Sequence, residues 1–270
     1  MSKHNRAVVV CLIGLTVGAA PAHAQVPPPS PNAVGASYHV EISGSLWDPA
    51  PAILITSESL QGIPGTPIDF VEDLGIERSW FKQLKVVLRP AKKHKFRFEY
   101  TPIHYEVEAT LSRDLVFNGI LFPQGTLVDT EVTWRAFRFG YQWDFYSQER
   151  GFVGLVLEAK YTDVRADLNS SVDTEFVHAR APIPAIGVMG RGWVAPNVAI
   201  TGEFTLFKIP EIADKYGGQY FDLDIYGTVN FTENFGAQGG YRTFDVNYKA
   251  RRDEGDLQLK GLYFGGVARF

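Results

Sequence analysis

The chain has 270 residues, 26 basic and 30 acidic side chains, a formal charge of −4 and one cysteine. That balance offers no concentrated basic patch of the kind nucleic-acid binding requires. A single thiol excludes a disulfide framework and a cysteine-based zinc site.

Lys3 and Arg6 precede an apolar run over residues 7–20, and Ala22-His23-Ala24 forms a small-residue cleavage site. Residues 1–24 therefore read as a secretory signal peptide, with Gln25 as the mature N-terminus. The run is shorter than the ~18 residues that a transmembrane helix needs. Cys11 lies within it, too early and after too large a residue (Val10) for a lipoprotein site, so the mature chain has no thiol. Loss of Lys3 and Arg6 takes the charge to −6. Residues 25–35, QVPPPSPNAVG, form a Pro-rich leader expected to be extended and mobile.

From residue 36 to 270 the pattern is that of one domain of alternating strands. Tyr38, Val40, Ile42 and Leu46 oppose His39, Glu41, Ser43 and Ser45. Phe137, Phe139, Tyr141 and Trp143 oppose Ala136, Arg138, Gly140 and Gln142. Phe221, Leu223, Ile225 and Val229 oppose Tyr220, Asp222, Asp224 and Thr228. A period of two means strand with one apolar face. Ten strands are predicted, over about 37–47, 80–89, 94–105, 129–146, 152–165, 178–194, 197–208, 219–231, 235–248 and 256–270. Segments 80–89 and 178–194 alternate poorly, the second because of Pro182 and Pro184, so eight or twelve strands remain alternatives.

The connections choose the architecture. Tight turns near 90–94, 146–151, 195–197 and 232–234 alternate with long loops over 48–79, 106–128, 167–177, 209–218 and 249–256. Up-and-down strands with short turns at one end and long loops at the other are the pattern of a transmembrane antiparallel β-barrel. An even strand count puts both termini on the short-turn side. Asn118-Gly119 signals a tight hairpin that would extend the wall upward, and Pro210 and Gly217 bracket one or two helical turns. The first loop is acidic, with Asp48, Glu58, Asp69, Glu72, Asp73 and Glu77.

Export signal, cysteine-free mature chain, amphipathic strands and a last strand YFGGVARF closing on Phe270 together resemble bacterial outer-membrane β-barrel proteins. The resemblance implies a Gram-negative outer-membrane location and contact with lipid and lipopolysaccharide. It also implies recognition of the last strand, through Tyr263, Phe264 and Phe270, by the outer-membrane assembly machinery. Ala268 and Arg269 depart from the usual aromatic pattern of that signal. No subfamily motif accompanies it.

With the apolar parity outward, the lumen receives Glu99, Arg138, Asp144, Glu158, Lys160, Glu203, Asp222, Asp224 and Arg242, together with Glu41, Lys95, Arg97, Arg191 and Arg269. Glu203, Asp224 and Arg242 lie at similar heights, as do Arg138 and Glu158. Buried charges of both signs in a narrow barrel read as an ion-paired plug or a very constricted channel; a selective pore is the alternative. Trp143, Phe145, Tyr146, Phe152, Trp193, Phe231, Phe235 and Phe270 lie near strand ends and suggest an interfacial girdle.

The reading is a monomeric structural or narrow small-solute channel protein without enzymatic activity, cofactor or metal. One alternative is surface binding or adhesion through loops 48–79 and 106–128. Another is a membrane-embedded lipid-modifying enzyme or protease. His39, His94, His104 and His178 show no metal spacing. A deacylase using His178 with Ser170 or Ser171, and an acid pair at Asp222 and Asp224, have no supporting motif.

Overall fold

A computed structural model describes residues 33–56, 65–117, 119–170, 174–212, 216–250 and 253–270. The proposed signal peptide and most of the leader lie outside them. The described residues contain no helix. They form strands β1 (Val40–Thr56), β2 (Ile68–Asp69), β3 (Phe81–Ala91), β4 (His94–Thr110), β5 (Leu115–Phe117), β6 (Ile120–Phe122), β7 (Leu127–Gln148), β8 (Gly151–Ser170), β9 (Thr174–Ala195), β10 (Val198–Ile212), β11 (Tyr216–Asn230), β12 (Phe235–Ala250) and β13 (Asp253–Arg269).

Ten of these, β1, β3, β4 and β7 to β13, pair in chain order, and β13 pairs with β1 to close the barrel. Closure is continuous to the end: the Phe270 N–H donates to the Val40 carbonyl (2.9 Å) and the Val40 N–H to the Phe270 carbonyl (2.9 Å). Closure leaves no edge strand in the lower wall, which a membrane barrel requires.

The predicted ten strands are all present, but most run further at the long-loop end. The expected loops over 167–177, 209–218 and 249–256 are mostly strand among the described residues, and of the expected helical turns at Pro210–Gly217 the described residues belong to the ends of β10 and β11, residues 213–215 lying outside them. Residues 48–56 likewise belong to β1 rather than to the first loop. Polar residues at the strand tips disguised continuing strand as loop.

The polar and apolar faces exchange with height along β4 and β7. In lower β4, Phe96 and Phe98 face out while Lys95, Arg97 and Glu99 are buried; in upper β4, Ile103 and Tyr105 are buried while His104 and Glu106 are exposed. β7 does the same, with Trp143 and Phe139 outward below, and Val132 and Trp134 inward above between exposed Glu131 and Arg135. The lower wall thus offers lipid an apolar band, and the upper wall is built like a water-soluble barrel with an apolar interior.

The wall is not uniform between β9 and β10. Among the described residues their pairing runs from Ala195–Val198 to Ile186–Leu206 and stops, although both strands continue upward. Pairing of β9 with β8 runs unbroken from Gly192 to Thr174. Pro182 and Pro184 therefore withhold their missing donors on the β10 side, where proline is tolerated because no ladder runs there. That is why a segment with two prolines is a strand despite its poor alternation.

The lower mouth is covered by residues 33–36. Val34 donates to the Pro196 carbonyl (2.8 Å), and the Val34 carbonyl accepts from Asn230 Nδ2 (2.8 Å) and Trp193 Nε1 (3.2 Å). Gly35 sits at φ 75°, where a Cβ would meet Asn230 and the Arg269 guanidinium. This part of the leader is packed, contrary to the expectation of a mobile segment. Trp193 also leaves the expected girdle, being buried against Ala33 and Ala199. Phe152 does too, since its ring lies 3.4 Å from Lys95 Nζ. Trp143, Phe145, Tyr146, Phe231, Phe235 and Phe270 do face outward.

Placing a cation in the apolar band tests the assignment. Ile225→Arg is expected to destabilise the barrel by about 2–4 kcal/mol in denaturant unfolding from lipid vesicles. Ile225→Leu is expected to be near neutral; equal effects from the two would contradict a lipid-facing position.

Candidate functional site: a charged floor beneath an apolar chamber

Seven strands supply the central layer of charge. Arg138 on β7 is its hub, its guanidinium lying 3.2 Å from Glu99, 2.9 Å from Glu158, 3.4 Å from Glu203 and 3.1 Å from Asp222. Arg242 bridges Glu99 (2.6 Å) and Asp222 (2.8 Å). Lys160 approaches Glu158 (3.2 Å) and Asp222 (3.7 Å), donates to Thr205 Oγ1 (2.8 Å) and lies 3.6 Å from the centre of the Tyr220 ring. Glu203 is shared with Arg97 and with Lys85 (3.2 Å). Asp224 accepts from the Tyr263 hydroxyl (2.8 Å). A guanidinium surrounded by carboxylates in a buried lumen is held by charge-assisted hydrogen bonds of fixed direction.

The register explains why these groups meet. Glu203, Asp224 and Arg242 are successive cross-strand partners, as are Glu99, Arg138 and Lys160. Glu158 lies opposite Gly140, two residues below the Arg138–Lys160 pair, and reaches Arg138 diagonally. Lys85 was not foreseen, because β3 alternates poorly; its parity with Gln83 and Val87 carried the signal.

A second layer lies toward the short turns. Glu41 accepts from Arg269 Nε (2.6 Å) and Arg191 Nη1 (3.4 Å), and Arg269 also donates to Asn230 Oδ1 (2.6 Å). Lys95 pairs with Asp144 at 2.8 Å. With Glu41, Arg191 and Arg269 coming from β1, β9 and β13, every barrel strand contributes to one layer or the other.

Above the floor the lumen opens into a chamber of about 600 Å³. Ile53, Ile103, Val132, Val164, Ala166 and Leu259 line its walls, with Trp47, Tyr105, Trp134 and Phe244 among the aromatic lining. Trp134 packs on Phe244 at 5.0 Å between ring centres, across strands that are not neighbours. Glu99, Arg138, Lys160 and Arg242 form the base. Reading the apolar parity as outward everywhere hid this chamber; the reversal of parity along β4 and β7 is the signal that would have shown it.

Two loops complete the chamber. Phe70 and Phe117 reach its lining, and Ile68, Leu74, Ile76, Leu115 and Phe122 are buried with them. The hairpin at Asn118-Gly119 exists as β5–β6, with Gly119 at φ 85°, although Asn118 itself lies outside the described residues. It forms a separate two-stranded sheet whose Leu115, Phe117 and Phe122 are buried in the upper core, rather than extending the wall. Backbone and hydroxyl of Thr66 bond Val116 (both 3.0 Å), and Arg113 grips Asp73 (2.8 and 2.6 Å) and the Pro67 carbonyl (2.7 Å). Those bonds from Arg113 hold the Asp73 carboxyl below the usual carboxylate range.

Of the enzyme candidates, Asp222 is committed to Arg242 and Asp224 to Tyr263. Ser171 and the His178 side chain lie outside the described residues. Tyr263 faces the lumen, and Phe264 and Phe270 face outward.

Two outcomes follow from these contacts. Arg138→Ala leaves four carboxylates short of a partner and is expected to cost about 3–5 kcal/mol in reversible unfolding; a cost below about 1 kcal/mol would show that the carboxylates find other partners. At the loops, a lowered Asp73 pKa means the clasp contributes fully above the ordinary carboxylate range and is lost as pH falls through the lowered value. Pepsin nicking within residues 65–80 should begin only there, and Arg113→Gln should speed tryptic cleavage after Arg78 at neutral pH. Unchanged cleavage in that variant would mean the clasp does not restrain the loop.

No family model matches the sequence, and no curated protein matches it either. Among solved structures the chain is similar to the outer membrane protease OmpT from Escherichia coli, with a TM-score of 0.58 at 9% identity over 86% of this chain and 96% of that one. An outer membrane channel from Pseudomonas putida F1 (TM-score 0.39, 11% identity, 91% of this chain and 100% of that one) is more distant. So is Ail of Yersinia pestis (TM-score 0.38, 11% identity, 86% and 99%), and at such scores neither adds to the argument. The chain has the closed, ten-stranded antiparallel fold of small outer-membrane β-barrel proteins.

Proposed function

We propose that this protein is a monomeric outer-membrane β-barrel, surrounded by lipid and lipopolysaccharide and inserted by the assembly machinery through its last strand. In this reading it is a closed barrel, neither an open porin nor an enzyme. The observation that carries the proposal is the contact of Arg138 with four carboxylates from four strands, which fills the cross-section of a narrow lumen. Below it, the Glu41–Arg269–Arg191 layer and residues 33–36 close the lower mouth a second time. A pore needs a continuous wet path; oppositely charged side chains paired across the lumen do not provide one.

Planar-bilayer recording tests this directly. The refolded protein is expected to be silent, and Arg138→Ala or Arg242→Ala to produce discrete conductance steps. Steady steps from the unaltered protein would overturn the closed-barrel reading.

A further inference from the structure

The chamber above the floor combines three features that point to a ligand. Its walls are apolar and its volume, about 600 Å³, lies in the range of small-molecule sites. Enclosed apolar cavities stay dry and take up apolar molecules.

Two polar groups of its lining stand out. Tyr105 and Trp134, each 5% exposed, line the chamber, and neither the Tyr105 hydroxyl nor Trp134 Nε1 has a hydrogen-bond partner among the described residues. They belong to paired strands: Tyr105 faces Val132, and Trp134 faces Ile103, two residues away on each strand. Buried donors are rarely left unpaired, because each forfeits its hydration. The two side chains are diagonal neighbours on one inward face of the paired strands. At the charged base, Arg242 and Lys160 already donate to Asp222, Glu99 and Thr205, and Arg138 is paired with four carboxylates although its Nε has no hydrogen-bond partner among the described residues.

The third feature is the split between β9 and β10. It starts above Ile186, level with the chamber base, because Lys160 and Ile183 are cross-strand partners and both line the chamber. On the outer face at this height β8 carries Ala159 and Tyr161 and β10 carries the exposed Lys208, so the split begins at the upper edge of the apolar band, before Asp163 begins the charged upper wall. Pro182 and Pro184 keep the ladder from closing there.

We propose that the upper chamber binds a neutral apolar molecule carrying one hydrogen-bond-accepting oxygen, held by Trp134 and Tyr105 and loaded from the membrane through the split between β9 and β10. This rests on the closed floor of the preceding section. The same chemistry occurs in free ketones, esters or alcohols and in the ester-linked chain of a membrane lipid.

The test uses the full-length refolded protein in amphipol with aminoanthracene as fluorescent probe. One probe per barrel is expected, displaced by methyl nonyl ketone at lower concentration than by undecane or undecanoate. Trp134→Phe and Tyr105→Phe, which keep the rings, should each weaken ketone displacement about fivefold, the size of one neutral hydrogen bond, and leave undecane unchanged. Ala166→Phe, filling the chamber, should abolish uptake in protein that still shows the heat-dependent gel shift. Replacing Pro182 and Pro184 together by Val should slow uptake without changing the equilibrium.

Reconstitution into phosphatidylcholine vesicles separates the sources. Probe excluded there but bound in amphipol identifies a lipid chain as occupant; probe bound in both identifies a free molecule. No uptake in amphipol, or ketone displacement indifferent to both Phe variants, overturns the site, and an uptake rate indifferent to the proline replacements overturns the route. Conductance recorded on the same protein keeps the readings apart: a conducting barrel that still binds probe fails the closed floor but not the donors.

Discussion

A guanidinium in a lumen only a few side chains wide must find its counter-charges inside the barrel. Arg138 finds four, and the rest of the architecture depends on that meeting. Desolvating an ion costs several kcal/mol, and pairing at best offsets the loss, so the network is weak evidence for net stability. Its stronger consequence is registry. A strand displaced by one residue turns its whole inward set outward, and here that would carry carboxylates and guanidinium groups into hydrocarbon on one strand while orphaning their partners on the others. Because seven strands meet in one layer, a slip in any of them penalises all of them.

The same layer divides the molecule in height. Below it, lipid outside and paired charge inside give strands that are apolar out and polar in. Above it, water outside and the chamber inside reverse the pattern within the same strand, near Pro102 in β4 and between Trp134 and Arg138 in β7. The barrel is thus an inverted membrane protein joined end to end with an ordinary apolar-cored one. The loops bury Phe70, Leu74, Phe117 and Phe122 because an apolar upper interior offers them a core, which a water-filled porin mouth would not.

This division explains what could be read in the residues themselves. Strand number, order and closure follow from alternation and from turn spacing, both local signals that survive without three-dimensional context. The charged lumen follows as well: Glu203, Asp224 and Arg242 share a level because each lies a similar count from its own short turn, and the register is set from those turns. The chamber was illegible under a rule that assigned one face to lipid for a strand's whole length. Lys85 was missed because its neighbours Val86 and Val87 blur the parity of β3, and Trp193 because the segment that covers it arrives from residues 33–36, far away in sequence. Contacts of that kind carry no local period.

The two prolines of β9 show how a local fault becomes intelligible once pairing is known. Within a fully laddered wall Pro182 and Pro184 would each remove a hydrogen bond and leave a facing carbonyl unpaired. In this barrel the strand beside them has already parted, and the pairing with β8 on the other side is complete. Pro210 near the top of β10 falls at the irregularity between Ile209 and Ile212, on the other flank of the same split. Three residues that cannot donate therefore border one stretch of wall, and they lie above the charged floor rather than beside it. A fault at floor level would let water reach the ion pairs and weaken them by raising the local dielectric. Placed higher, it leaves the floor dry and exposes to the outer part of the bilayer only a chamber that is itself apolar.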